Sequence, residues 1–263
     1  MYRIEKSSAR VKTMKDVVIV ANGDFLVKEI ITEAIANKLI VALDGAAKKL
    51  HLLGITPNVI LGDFDSLDAE EAKTWGILHT FAKLSEDAKP YRNKQNILIV
   101  PAKNQNETDL VKAIRYCDSE NATSITIICA SGGCLDHHEI NLRALRTEYK
   151  KDRLILLHTF QQTVRYAKNE TVEITGLPGD RCGVLAFPQG SFSSTGLQYD
   201  VQEMPLEFGF SESASNTLKD THATVIIAGE ALLIMPPLLA AQRDFESKTE
   251  VEQLEMKLRD GRL

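Results

Sequence analysis

From Val17 to Leu157 the chain alternates short, unbroken apolar runs with longer stretches of helical spacing. Val17–Ala21 runs into Asn22-Gly23-Asp24, Leu39–Leu43 into Asp44-Gly45, and Val59–Leu61 into Gly62-Asp63. Ile97–Val100 leads to the segment Lys103–Asp109, Ser124–Cys129 leads to Ser131–Asp136, and Leu154–Leu157 closes the series. Apolar runs without alternation are strands buried on both faces, so this half is expected to form a mostly parallel sheet with helices on either side. After residue 160 the period becomes two, in Thr171–Ile174, Gly183–Phe187, Leu197–Val201 and Thr224–Ile227, with Gly, Pro and Asn between them. That spacing predicts an antiparallel β-sandwich or small barrel. The expected fold class is α/β plus all-β: an α/β domain over 15–160, a β-sandwich domain over 161–240, and a C-terminal helical extension over 241–263. Val251, Leu254 and Leu258 set the helical spacing of the extension.

Composition narrows the function. The 31 basic and 36 acidic side chains of the 263 residues leave a formal charge of −5. With a pI near 5.7, this is neither the basic footprint of a nucleic-acid coat nor an attraction to anionic membranes, so a polyphosphate ligand would have to be held locally. The cysteines Cys117, Cys129, Cys134 and Cys182 form no C-x-x-C pair and suit reduced thiols. The N-terminus lacks the apolar core of a signal peptide, and the apolar run Ala231–Ala241 is too short to span a bilayer and contains Pro236 and Pro237. A cytoplasmic location is expected.

Candidate chemistry lies at the strand ends, because ligands of open α/β sheets bind outside the carboxyl edge. Asp44, Asp63, Asp65, Asp109 and Asp136 all follow predicted strands. A single such Asp is usually a turn or helix cap, but five at one edge would repel one another unless a divalent cation sits among them. Mg²⁺ suits an all-oxygen donor set and bridges to phosphates. In Gly62-Asp63-Phe64-Asp65-Ser66 the two carboxylates are one residue apart, and in an extended turn such side chains share a side. Thr108 or Asp109 can cap the helix beginning Leu110-Val111, with Lys112 one turn inside, and a helix N-terminus with a lysine forms an anion site. His137, His138 and Glu139 fan out around a helix and lack a third ligand at zinc spacing. The P-loop, dinucleotide-binding and nucleophile-elbow glycine motifs are absent from the sequence.

Taken in order, these segments resemble the thiamine pyrophosphokinase family. The resemblance runs from Val17 to Pro236 through Asp44-Gly45-Ala46-Ala47, Pro57, the Gly-Asp-Phe-Asp-Ser motif, and Gln105-Asn106-Glu107-Thr108-Asp109 with Lys112. It continues through Gly132-Gly133-Cys134-Leu135-Asp136-His137 with Asn141, then Thr195-Gly196-Leu197-Gln198-Tyr199 and Ser213-Ala214-Ser215-Asn216. It implies an ATP- and Mg²⁺-binding catalytic domain, a thiamine-binding sandwich, and a homodimer in which thiamine lies between one chain's α/β domain and the partner's sandwich. By this resemblance Asp63, Asp65 and Asp109 are the metal ligands and Lys112 supplies fixed positive charge. Asn22, Asp44, Gln105, Thr108 and His137 would position ATP. Asp136 would orient the thiamine hydroxyl or complete the metal site. Tyr199, Ser213, Ser215 and Asn216 would receive thiamine.

The chain departs from the family pattern at three positions: Asn106 where Asp is frequent, Cys134 where Arg is common, and Tyr199 where Trp is frequent. The first two remove a charge from the phosphate site. Two alternatives stay open from sequence: a related phospho- or nucleotidyltransferase with another acceptor, and a catalytically weakened thiamine- or nucleotide-binding protein.

Overall fold

A computed structural model describes residues 16–64, 69–77 and 89–246. The expected helix through Val251, Leu254 and Leu258 lies outside them, as do Asp65 and Ser66. The first half runs β1 (Asp16–Val20), α1 (Lys28–Ile35), β2 (Leu39–Leu43), α2 (Asp44–Leu52), β3 (Val59–Gly62), α3 (Ala69–Thr74) and β4 (Tyr91–Arg92). It continues with β5 (Leu98–Pro101), α4 (Asp109–Ser119), β6 (Ser124–Ile128), α5 (Leu135–Thr147) and β7 (Leu154–His158). The second half holds β8 (Thr163–Lys168), β9 (Thr171–Thr175), β10 (Arg181–Thr195), β11 (Met204–Glu207), β12 (Ser213–Thr217), β13 (His222–Met235) and α6 (Ala240–Glu246).

Alternate residues of the parallel strands serve two different cores, which is why their sequences read as continuous apolar runs. Val17 and Ile19 of β1, Val41 and Leu43 of β2, and Leu61 of β3 pack with Leu110, Ala113, Ile114 and Cys117 of α4 and with Ala144 and Leu145 of α5. Val18, Val20, Ile40, Ala42 and Ile60 pack instead with Ile30 and Ile31 of α1, Ala46, Ala47 and Leu50 of α2, and Trp75. At roughly 25 cal/mol per Å² of apolar surface, these two layers dominate the stability of this half.

Strand order is β11-β10-β13-β8-β7-β6-β1-β2-β3-β5-β4. From β1 the chain moves outward through β2, β3 and β5, then returns to place β6 on the other flank of β1, both pairs being parallel. The order therefore reverses beside β1, and a ligand crevice is expected at the carboxyl ends of β1 and its neighbours. β7 pairs parallel to β6 and antiparallel to β8, so the parallel and antiparallel parts share one hydrogen-bonded sheet.

The antiparallel part is built on long strands. β8 and β9 both pair with β13, over Glu230–Met235 and His222–Ile226 respectively, and so act as one strand interrupted at Asn169. The Asn169 N–H donates to the Gly229 carbonyl and its side-chain oxygen accepts from the Gly229 N–H, at 3.0 and 2.7 Å. β10 shifts register against β13 at the same level, between Ala186 and Gly190. Phe192, Val172, Val225, Val184 and Leu233 form the third core on this part. One expected strand is absent. Leu197–Val201 is a loop, with a single bridge from Leu197 to Leu218, because the Asp200 carboxylate accepts the Gly196 and Leu197 N–H groups and the Ser194 hydroxyl.

Cys117, Cys129 and Cys182 are buried, Cys134 is exposed, and no disulfide forms among the described residues. Burial pushes the Cys117 and Cys182 thiols up to about 12, which keeps them protonated and inert.

Candidate active site

The carboxyl edge beside β1 is assembled by close approaches that only glycine permits. Asp44 opens α2 and is buried at 8% exposure. A Cβ on Gly62, the last residue of β3, would come within 2.8 Å of the Asp44 Cβ and 3.0 Å of its Oδ2. Beside it, a Cβ on Gly45 would lie 2.2 Å from Nδ2 of Asn22, the residue leaving β1. Asn22, Asp44 and the end of β3 thus form one continuous packed group. The Asp44 carboxylate also accepts the Gly45 N–H at 2.6 Å, which fixes it at the positive end of α2.

On the far side of β3, Gln105 Nε2 donates to Asp63 Oδ2 at 2.9 Å and ties the loop after β5 to the end of β3. That loop leads into α4, where the Thr108 hydroxyl accepts the Val111 N–H and is the N-cap. Asp109 is the first helical residue and pairs with Lys112 at 2.9 Å; the Lys112 side chain is 8% exposed and that of Asp109 34%. Asp63, Gln105, Thr108, Asp109 and Lys112 therefore belong to one ledge.

The other flank of β1 is closed by the loop after β6. The Gly23 N–H donates to the Cys129 carbonyl and the Asp24 N–H to the Ser131 carbonyl, at 2.7 and 2.9 Å. Gly132, at φ +73°, leaves room for Asp24, whose Oδ2 would lie 2.0 Å from a Cβ there. Cys134 is the N-cap residue of α5 and makes no side-chain capping bond. Asp136 and His137 are exposed on its first turn, and the Asp136 carboxylate accepts the His137 N–H at 2.8 Å. His138 Nδ1 accepts the Gly132 N–H, and Asn141 donates to the Ala130 carbonyl. Among the described residues no three His, Cys, Asp or Glu side chains gather into a ready metal site; Asp65 falls outside them.

The remaining candidates lie in the antiparallel part. Tyr199 is 70% exposed while Asn216 is only 3% exposed. The Asn216 amide is committed to the Tyr199 main chain: Nδ2 donates to the Tyr199 carbonyl at 2.9 Å, and Oδ1 accepts the Tyr199 N–H at 3.1 Å. Ser213 Oγ is 3.5 Å from the same amide. Ser215, at φ +60°, accepts a 2.7 Å bond from Arg181. Asn216 is thus buried, with both ends of its amide engaged by the Tyr199 main chain. Sequence reasoning did not single out Asp24, Asp200 or Arg181. The Gly132-Gly133 pair hinted at the Asp24 approach, but nothing local marked the other two.

Comparison with known proteins adds the following. Residues 32–157 match the family model described as thiamin pyrophosphokinase, catalytic domain, and residues 162–231 the one described as thiamin pyrophosphokinase, vitamin B1 binding domain. Thiamine pyrophosphokinase 3 of Oryza sativa subsp. japonica is 26% identical over 190 residues, which is 68% of this chain and 64% of that protein. Thiamine pyrophosphokinase 1 of Arabidopsis thaliana is 27% identical over 180 residues, 64% of this chain and 61% of that protein. The matched regions thus span just under two thirds of these relatives. In fold, the chain is similar to the thiamine pyrophosphokinase crystal structure from Bacillus subtilis, with TM-score 0.70, 22% identity, and coverage of 86% of this chain and 100% of that one. The yeast thiamin pyrophosphokinase structure gives TM-score 0.68 at 16% identity, covering 86% and 87%.

Proposed function

The chain belongs to the thiamin pyrophosphokinase family, and from that membership we propose that it transfers the pyrophosphoryl group of ATP to the hydroxyl of thiamine, giving thiamine diphosphate and AMP. The observation that carries this reading is the presence, in one chain and in order, of the catalytic and the vitamin B1 binding halves. In the catalytic half Asp44, Asp63, Asp109 and Asp136 each come after a parallel strand, on the carboxyl edge where the strand order reverses.

In the proposed reaction the thiamine hydroxyl gives up its proton to solvent as its oxygen bonds to the β-phosphorus, and the bond from that phosphorus to the bridging oxygen breaks, so that AMP leaves with that oxygen. Such transfer depends on in-line alignment and on neutralising phosphate oxygens. Lys112, nearly buried and anchored on Asp109, supplies a fixed positive charge beside the α4 N-terminus. Asn22, Asp44, Gln105, Thr108 and His137 position the nucleotide. Asp136, exposed at the start of α5, orients the hydroxyl or completes the metal site.

Asp63, Asp65 and Asp109 would hold Mg²⁺. Asp63 and Asp109 offer hard oxygen donors braced by Gln105 and Lys112, a chemistry that fits this ion. When bound, the ion would neutralise triphosphate charge.

A composite site in a homodimer belongs to the same proposal. β3 and β10 are seven places apart in the strand order, roughly 34 Å along the sheet at about 4.8 Å per strand. Tyr199, with Ser213 and Ser215 nearby and Asn216 behind it, would therefore serve the phosphate site of a second copy. A cytoplasmic setting is also proposed, supported by cysteines that form no disulfide among the described residues.

The test is incubation with ATP, Mg²⁺ and thiamine followed by chromatographic separation. Thiamine diphosphate and AMP in equal amounts are expected, and Asp63→Asn should lower the rate at least ~100-fold with little change in Tm. Formation of thiamine monophosphate and ADP, or an unaltered rate in Asp63→Asn, would overturn the proposal.

A further inference from the structure

Asn22 leaves β1 and Asp44 opens α2, and a lysine from further along α2 ties these two elements together. Side chains on a helix lean back toward its N-terminus, so Lys49, half-buried on α2, reaches toward the carboxyl edge of the sheet. Its Nζ donates to the Gly23 carbonyl at 3.3 Å and lies 5.3 Å from the centre of the Phe25 ring. Phe25 is 6% exposed and belongs to the core that Ala46, Ala47 and Leu50 of α2 complete, so the ring is a fixed seat for the ammonium group.

Gly23 is gripped from two directions. On the β6 side its N–H donates to the Cys129 carbonyl at 2.7 Å, and a Cβ would come within 2.7 Å of the Ser131 carbonyl oxygen. On the α2 side its carbonyl accepts from Lys49. Asn22 stands one residue earlier, exposed, with its side-chain amide pressed against Gly45 beside Asp44. Holding both main-chain groups of Gly23 leaves that amide little freedom to swing away from the start of α2.

We infer that Lys49 is a positioning residue of the nucleotide site: it draws the exit of β1 onto α2 and so sets the Asn22 amide beside Asp44, without touching the nucleotide itself. This rests on the proposed reading of Asn22 and Asp44 as nucleotide-positioning groups.

Titration of a non-hydrolysable ATP analogue with Mg²⁺ into the full chain tests this without requiring turnover. Lys49→Met keeps an unbranched stem and a good helix former but removes the donor and the charge. It should weaken the analogue about tenfold, the size of one well-placed polar contact. Lys49→Arg can donate to the same carbonyl and lie over Phe25, and should restore most of the affinity. In an Asn22→Ala background, Lys49→Met should cost less than about twofold, because a residue that acts through Asn22 then has nothing left to position. Equal losses in the two backgrounds would mean that Lys49 meets the nucleotide directly or acts on the fold at large, and would overturn the inference. So would unchanged affinity in Lys49→Met or in Asn22→Ala, or a loss that Lys49→Arg fails to restore at an unaltered Tm. A chain that binds the analogue in this pattern yet forms no thiamine diphosphate would refute the proposed reaction and leave the role of Lys49 standing, whereas a chain that binds no analogue would refute both.

Discussion

If the Asp44 carboxylate positions the nucleotide, the methyl group of Gly62→Ala should damage catalysis out of proportion to its effect on stability. The added carbon would lie 2.8 Å from Asp44 Cβ and 2.9 Å from its Cγ, against the roughly 3.5–4.0 Å at which carbon atoms rest. Something must give by somewhat under ~1 Å. The strand cannot easily yield, because Gly62 pairs with Pro101 and its carbonyl accepts the Ala102 N–H at 2.8 Å. Nor can the helix start retreat toward β1, since Gly45 already packs against Asn22. The carboxylate is therefore the part that moves. Overpacking of this kind costs about 1–3 kcal/mol, a Tm loss of roughly 2–4 °C per kcal/mol. A shift near ~1 Å in a positioning group costs about 100-fold in kcat/KM. The assay is AMP release at varied ATP, with Tm measured in parallel. Gly54→Ala is the matched control: at φ +73° it strains the backbone by about 1–2 kcal/mol, but its Cβ would meet nothing within 4 Å. It should lose stability and keep its rate. If Gly62→Ala loses Tm yet keeps kcat/KM within about twofold, Asp44 has no part in the site and the reasoning fails.

Two further outcomes are expected. Asn216→Ala removes the clamp on both main-chain groups of Tyr199, so the KM for thiamine should rise about tenfold while that for ATP stays put; initial rates with each substrate varied would show it, and equal rises would mean a general loss of structure. Burial, helped by Lys38, lowers the His158 imidazole from its usual 6.5 to about 4. The unfolded chain then binds an extra proton between those values, and stability should fall as pH drops from 6.5 toward 4, at up to about 1.4 kcal/mol per pH unit. Urea unfolding of His158→Gln across that range should show a shallower fall, and an unchanged slope would count against the assignment.

What was legible in the sequence follows physical range. The parallel strands could be read because each is buried on both faces, so nearly every position is apolar, Thr126 and His158 being exceptions, and no partner need be known. The strand-end acids were legible for a similar reason, since the carboxyl edge of such a sheet is where a ligand binds. The long strands β10 and β13 were seen only in part, because the register shift after Ala186 and the Asn169 contact with Gly229 interrupt the alternation that marks a strand. Leu197–Val201 has the composition of a strand, yet the Asp200 carboxylate takes the Gly196 and Leu197 N–H groups and Asn216 the Tyr199 N–H, which turns the segment into a loop.

The identity of Asn216 could be read, but the direction of its side chain could not, because that depends on a main chain 17 residues away. The same limit governs the site as a whole. Sequence order places Asp63 and Tyr199 in one chain, whereas the strand order sets their supporting strands seven places apart. An acceptor stacked on Tyr199 and a phosphate held at the end of β3 can react only if a second copy closes that gap or the sheet curls enough to bring its ends together. The sheet does shift register, but at Asn169 and Gly190, within the antiparallel part and away from β3. The parallel strands from β7 to β5 keep an unbroken pairing that holds the phosphate edge in place. Under the proposed composite site, the 70% exposed Tyr199 is the group a second copy would have to reach.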